Sequence, residues 1–274
     1  MAVRVKNILK ILNQQAPFHL AETWDNVGLL VGNPEQQVTA VIAGLDPTNA
    51  LVEEALARGA NTIVTHHPVI FKPLSAINTA DPAGRLLATA LSNNISIIGC
   101  HTNFDSAEEG VSDYLGDQLG LGSLSPLVPA PDAQSPTGIG RVGHYQPKIA
   151  GSEFLQRVLR VLQLPAVQTA GRIPAEIGCV AVCGGSGSDL APAAFARGAD
   201  IYLSAEIKHS TAIWAVENNF CIMDGTHYAT EKPAVSLLVD KLSKASKEEG
   251  WNIEILQTIR ETPPFVFADR NYQP

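Results

Sequence analysis

Apolar residues fall into two alternating patterns along the chain. Short apolar blocks such as Val41-Ile42-Ala43, Ile63-Val64, Ile95-Ser96-Ile97-Ile98, Val180-Ala181-Val182, Ile201-Tyr202-Leu203 and Phe220-Cys221-Ile222-Met223 predict buried strands. Between them, stretches at 48–58, 82–92, 108–119, 151–163, 189–197, 208–218 and 230–248 carry apolar residues at helical spacing. Strands that alternate with amphipathic helices predict α/β units, whose sheets carry helices on their faces. At the N-terminus, Val5, Ile8, Leu9 and Leu12 recur among Lys and Arg, which predicts an amphipathic helix within residues 1–15. Residues 251–259 alternate Trp, Ile, Ile, Leu and Thr with other residues and predict a last strand.

The pattern repeats. The segment from Leu56 to Thr65, including Ala57-Arg58-Gly59-Ala60, matches Phe195 to Ser204, including Ala196-Arg197-Gly198-Ala199, at an offset of 139 positions. The same offset sets Val41-Ile42-Ala43 opposite Val180-Ala181-Val182. Further on, Asn93-Asn94 and Asn218-Asn219 each open an apolar run, 125 positions apart. Each run leads to a histidine and then a carboxylate: His101 and Asp105 in one copy, His227 and Glu231 in the other. A duplicated chain of this kind divides into a first α/β repeat over 1–125, completed by 232–274, and a second over 126–231. The Pro-, Ala- and Ser-rich segment 123–136 reads as a surface connection between them. Because a strand is expected after the second repeat, the chain can return to the first sheet and intertwine the two.

Composition narrows the class. With 45% hydrophobic and 17% charged residues in 274, the chain is globular and long enough for a large core. A net charge of −8 argues against a duplex-DNA binder, whose affinity depends on Lys and Arg neutralising phosphates. The N-terminus has no apolar block of the signal-peptide kind, and no run reaches the roughly 18 residues of a membrane span, so a cytoplasmic protein is expected. Cys100, Cys179, Cys183 and Cys221 lie in or beside strand blocks without CxxC spacing, which reads as buried thiols in a reducing compartment.

Candidate chemistry gathers where strands end. Ile63-Val64 runs into Thr65-His66-His67-Pro68, and the proline keeps His67 extended at the carboxyl edge where α/β sheets present ligand groups. His66, His67, His101, Asp105, His227 and Glu231 are then six potential metal ligands at three strand ends. Mixed imidazole and carboxylate donors suit Zn, Fe, Mn or Co better than Ca. Six donors exceed what one tetrahedral ion needs, and two divalent ions about 3.5–4 Å apart fit the count better.

Other residues border this constellation. Glu206 takes the place of His67 under the 139 offset and reads either as a general base, as a partner orienting a histidine, or as a solvated helix-start residue; His209 stands close behind it. Gly184-Gly185-Ser186-Gly187 links a strand to a helix, either as a tight turn or as a phosphate cradle of backbone amides. Trp24-Asp25-Asn26 reads as a turn with Trp in the core or as a loop that touches substrate.

Together, Glu22-Thr23-Trp24-Asp25-Asn26-Val27-Gly28-Leu29-Leu30-Val31-Gly32, Thr65-His66-His67-Pro68, His101-Thr102-Asn103-Phe104-Asp105, Gly184-Gly185-Ser186-Gly187 and His227-Tyr228-Ala229-Thr230-Glu231 resemble the Nif-three-like dinuclear metal-centre family, also labelled GTP cyclohydrolase 1 type 2 homologs. The resemblance runs from Val5 to about Phe265. It implies an α/β fold of two intertwined, duplicated repeats with mixed sheets, a dinuclear metal site between them, and a toroidal homohexamer. It assigns His66, His67, His101, Asp105, His227 and Glu231 as ligands; of these Glu231 is taken as the bridging carboxylate, and His101 as a ligand or else as a residue behind the ligands or a substrate-facing base. The chain departs from the family at Thr226, where glycine usually precedes the histidine, a change that bears on backbone shape more than on metal binding. It also lacks the domain that longer members insert between the halves.

The function expected from these residues is a metal-dependent hydrolase acting on a phosphate-bearing or nucleotide-like small molecule. Two divalent ions would lower the pKa of a water towards about 7, and Glu206 would handle the proton. The alternative is a non-catalytic metal-binding, metal-delivering or regulatory assembly.

Overall fold

The computed structural model describes residues 2–131 and 136–267 as two mixed sheets flanked by helices. Helix α1 (Val5–Gln15) buries Val5, Ile8, Ile11 and Leu12 as one stripe, as its spacing predicts. The first sheet takes β1 (Gly28–Val31), β2 (Ala40–Gly44), β3 (Thr62–Thr65) and β4 (Ser96–Gly99). Helices α2 (Asn49–Ala57) and α3 (Pro82–Ser92) separate β2 from β3 and β3 from β4. Every residue of β2, β3 and β4 is buried, which is why these strands read as unbroken apolar blocks rather than as alternating ones.

After α4 (Thr102–Ser106) and α5 (Val111–Gln118) the chain enters the second sheet. That sheet holds β5 (Gly122–Pro129), β6 (Gly138–Ala150), β7 (Gln168–Ala170), β8 (Glu176–Ser186), β9 (Ile201–Ala205) and β10 (Cys221–Asp224). Helix α6 (Gly151–Leu162) follows β6, while α7 (Ala191–Ala196) and α8 (His209–Glu217) separate the last three strands. Two more helices, α9 (His227–Glu231) and α10 (Pro233–Glu248), carry the chain to β11 (Glu254–Gln257).

The duplication is visible in the strand register. In the first sheet β2, β3 and β4 are parallel, with Ala43 opposite Val64 and Val64 opposite Ile98. In the second, β8, β9 and β10 repeat this with Val182 opposite Leu203 and Leu203 opposite Met223. An antiparallel strand closes each set on the same side, β1 beside β4 and β7 beside β10. The halves are intertwined because β11 returns to pair with β2 in the first sheet. On the way, α10 packs Ala234, Leu238, Leu242 and Ala245 into the core that α1 also lines.

Two stretches differ from the expected pattern. Most of 123–131 is strand β5 rather than surface connection, paired to β6, and residues 132–135 lie outside the described residues. Its Pro126 and Pro129 are tolerated because β5 is the edge of its sheet. Strand β6 has no counterpart in the predicted elements, since Gly138, Gly140 and Gly143 interrupt its apolar alternation. All four cysteines are free thiols, three of them buried. No helix among the described residues is long and apolar enough to cross a membrane.

One buried cation fastens the second sheet to the end of the first repeat. Arg141 on β6, 1% exposed, donates from Nε to Asp113 Oδ1 of α5 at 2.6 Å and from Nη2 to the Ala107 carbonyl at 2.8 Å. Its Nη1 donates to the Gly138 and Gly140 carbonyls. Replacing Arg141 with Met removes the donor that these four acceptors share, leaving Asp113, among the described residues, with the Gly110 amide alone. Chemical denaturation should show a loss of about 3 kcal/mol, in the range for breaking a buried pair from one side; an unchanged midpoint would contradict this role.

Candidate metal centre

The six expected ligands converge at the carboxyl ends of the central strands. His66 and His67 leave β3 still in the ladder, their amides donating to the Gly44 and Leu45 carbonyls at 3.2 and 2.9 Å. His101 follows β4 as the cap of α4, which carries Asp105. His227 and Glu231 are the first and last residues of α9, just beyond β10. Four-residue spacing on a single helical turn puts histidine and carboxylate on one face. The repeated His-x3-carboxylate pattern is therefore a short helix used twice, with His227 in its first turn in one copy and His101 at the cap before it in the other.

Glu231 sits at the centre, 3% exposed. Its Oε2 lies 3.0 Å from His67 Nε2 and 2.8 Å from His227 Nε2, while its Oε1 lies 3.6 Å from His66 Nε2. His66 Nε2 is also 3.6 Å from Asp105 Oδ1, and the Nε2 atoms of His67 and His227 are 3.2 Å apart. Three sets could each hold a metal ion: His67, His227 and Glu231; His66, Asp105 and Glu231; and His66, His67 and His101. Zinc–nitrogen bonds of about 2.0–2.1 Å place neighbouring tetrahedral ligands about 3.3 Å apart, close to these spacings. His66 Nε2 and Asp105 Oδ1 are both buried without a hydrogen-bond partner, which is costly unless a cation lies between them. The residues present fit a metal.

Each imidazole is aimed by its other nitrogen. His66 Nδ1 meets the Cys100 carbonyl at 2.9 Å, His67 Nδ1 meets Asp46 Oδ1 at 2.7 Å, His101 Nδ1 meets Asp25 Oδ1 at 2.9 Å and His227 Nδ1 meets Glu206 Oε1 at 2.9 Å. Acceptors at Nδ1 fix the tautomer that leaves Nε2 as the ligand atom and raise its basicity. Asp25 is itself held by the backbone amide and hydroxyl of Thr102. A further carboxylate supports Asp46 from the C-terminal segment: Glu261 Oε1 accepts from the Leu45 and Asp46 amides at 2.7 and 2.9 Å.

These contacts shift the titration of the site. Burial opposes charge on His67, but Asp46 and Glu231 outweigh it and push its pKa up to about 10. Burial likewise opposes charge on His227, and Glu231 and Glu206 raise it to about 9. Burial would raise Glu231, yet His66, His227 and His67 hold it well below the carboxylate range. The Asp105 carboxyl is raised, chiefly by burial. Burial pushes the Cys100 thiol up to about 12, and it is the carbonyl of this residue that serves the site.

The remaining candidates are placed differently from one another. Glu206 is exposed, with φ +52, and occupies the orienting position on His227. His209 is exposed on the first turn of α8. Asp25 orients His101, and Trp24, 56% exposed, lies outside the core with its ring against His101 and Phe71. The glycine loop is not an amide cradle: Gly184, Gly185 and Gly187 already donate to Ser112, Thr230 and the Ala205 carbonyl. It makes room instead. β8 bulges between Val182 and Ser186, and a Cβ on Gly185, at φ +65, would stand 1.9 Å from Glu231 Oε1. Thr226 takes φ +62 before His227, so the backbone shape that glycine would favour is kept, at a cost of about 1–3 kcal/mol.

Asp46, Glu261 and Phe71 were not among the expected residues. Asp46 carried a signal: it follows the end of β2, the same strand edge that presents the histidines.

Comparison with known proteins accords with this geometry. A sequence model of the family described as Duf34/NIF3 (NGG1p interacting factor 3) matches residues 3–264. The chain belongs to the Duf34/NIF3 family. A Clostridium acetobutylicum relative named "GTP cyclohydrolase 1 type 2 homolog" is 33% identical over 267 residues, covering 97% of this chain and 100% of the relative. A Streptomyces coelicolor relative of the same name is 34% identical over 267 residues, covering 96% and 94%. Among solved structures, a Bacillus cereus protein related to NIF3 superposes with a TM-score of 0.92 at 23% identity, over 98% of this chain and all of that one. The NIF3 fold, with its two mixed sheets, is thereby shown.

Two outcomes are expected. His67 and His227 are raised above the ordinary value of 6.5, so their stabilisation is complete below about pH 6.5 and is lost as pH rises through 9 to 10. The thermal midpoint of chelator-treated protein should fall across that window, and two equivalents of divalent metal at pH 9 should raise it again; a flat profile would sink the assignment. Gly185→Ala should keep the fold, losing about 1–3 kcal/mol for the positive φ, while displacing Glu231 and lowering the bound metal measured by elemental analysis.

Proposed function

We propose that this NIF3 protein is a metal-dependent hydrolase with two divalent ions per subunit, acting on a phosphate-bearing or nucleotide-like small molecule. The observation that carries the proposal is the placement of Glu231, whose two oxygens face different sets of histidines and so suit a bridge between two ions. Zn, Fe, Mn or Co suits these donors. Divalent ions in such a site lower the pKa of water and polarise phosphoryl or carbonyl oxygens.

The chain's own residues divide the remaining work. His66, Asp105 and Glu231 form a buried set that would retain an ion, while His67 and His227, 20% and 32% exposed at their side chains, face the side that a substrate can reach. Glu206 holds His227 from that open side and is the carboxylate proposed to accept a proton. A toroidal homohexamer is the proposed assembly by family resemblance. Exposed Phe265, Val266 and Phe267 offer apolar surface for contacts between copies. The names of the relatives point to purine ring opening, but the residues here do not single out that reaction.

The test is turnover by protein of known metal content on phosphoesters, nucleotides and cyclic amides. His227→Ala and Glu231→Gln should each lower the rate at least about 100-fold, as loss of a group acting in the transition state does. Activity indifferent to both would refute the proposal. Stoichiometric metal without turnover on any substrate class would favour the metal-binding or delivery reading instead.

A further inference from the structure

The open side of the metal centre is bordered by two aromatic rings that the metal chemistry does not use. Trp24 and Phe71 are 56% and 44% exposed, with ring centroids 5.7 Å apart. Each also lies edge-on to the His101 imidazole, at 6.2 and 6.3 Å. His101 in turn lies 5.2 and 5.5 Å from the rings of His66 and His67. The exposed aromatic surface therefore touches His101, itself a candidate ligand, and is one side chain away from His66 and His67.

These rings are held in place rather than left on a loose loop. The residue after Trp24 is Asp25, which takes His101 Nδ1 and the Thr102 amide. Glu22, two residues before Trp24, donates its amide to Thr102 Oγ1 at 3.0 Å. Asn26 donates from Nδ2 to the Ile70 carbonyl at 2.6 Å, tying the Trp24 loop to the residue beside Phe71. One tripeptide thus orients a metal-binding imidazole, presents an indole and anchors the loop of a second ring. Leaving a large aromatic surface in water forgoes burial worth roughly 25 cal/mol per Å², and fixing it beside a reactive centre is how a protein presents a stacking surface.

We infer that Trp24 and Phe71, their planes tilted by 54°, form a platform on which a planar aromatic heterocycle stacks against one ring and meets the other at an angle, which holds the substrate with its reacting group directed past His101 towards His67 and His227. The occupant is a small molecule rather than a protein, because the platform is two rings wide and continuous with the ligand cluster. This deepens the hydrolase reading and rests on it for the reacting group only; ring binding is measurable without turnover. Trp24 and Phe71 act as specificity-determining residues, selecting ring-bearing substrates from other phosphoesters.

The experiment is an equilibrium titration of the metal-loaded protein with a purine nucleoside monophosphate and, separately, with ribose 5-phosphate, which carries the phosphate without the ring. Tryptophan emission and calorimetry are read together, and Trp24→Phe identifies the share of the signal from Trp24 over that from Trp214 and Trp251. The nucleotide should bind at least about 10-fold more tightly, since stacking on an aromatic side chain is worth roughly 1–3 kcal/mol per base. Trp24→Ala and Phe71→Ala should each remove most of that preference with metal content unchanged, and Trp24→Phe should retain it. Equal binding of the two probes, or a preference that survives both alanine variants, overturns the platform. Ring preference in a protein that turns over no substrate would keep the platform and remove the hydrolase; turnover without ring preference would do the reverse.

Discussion

A carboxylate sealed from water must be balanced by charge or hydrogen bonds, and Glu231 is balanced from three sides at once. Its oxygens face His66, His67 and His227, which arrive from the ends of β3 and from α9 itself. An ionised group in that position is costly unless these partners, or the ions that take their protons' place, are present. The rest of the site follows from accommodating it. Gly185 lacks a side chain because Glu231 fills the space, and β8 bulges there to open it. The duplicated short helices place a histidine and a carboxylate on the same face on either side of this centre.

The two repeats supply equivalent scaffolds with different contents. In the first, the end of β2 presents Asp46 to His67 at the end of β3. In the second, the matching positions are Gly185 and Glu206, so the histidine has gone and the carboxylate instead serves His227. One copy has become rich in imidazole and the other provides the space that Glu231 fills. Intertwining then fixes the two together, because the segment that follows Glu231 runs through α10 to β11 in the first sheet, and Glu261 beyond β11 holds the loop of Asp46.

Much of this was legible in the sequence, for identifiable reasons. Fully buried parallel strands leave apolar blocks, and duplication lets each weak block be checked against its copy; the register of Ala43 with Val64 and Val182 with Leu203 shows the alignment was sound. The six candidate ligands stood out because His-His-Pro ends one apolar run and the two His-x3-carboxylate pairs follow matching runs in the two copies. What stayed hidden depended on contacts between distant segments. Asp46 and Glu261 look like ordinary loop carboxylates until the C-terminal strand brings them together. The glycine loop invited a phosphate-binding reading, since sequence cannot distinguish a glycine that approaches a ligand from one that yields to a neighbouring side chain. Strand β5 was masked by prolines, which an edge strand admits.

The acceptors behind the imidazoles have a consequence for charge. Asp25, Asp46 and Glu206 join Asp105 and Glu231 to give five carboxylates around four histidines. With these ionised and the imidazole protons displaced by metal, a single dication would leave the cluster strongly negative, and its field would favour a second. Two dications would bring it within one charge of neutrality. An anionic ligand would therefore meet less repulsion at a filled centre than at a half-filled one, so carboxylates that only orient the imidazoles would still bear on the order of binding.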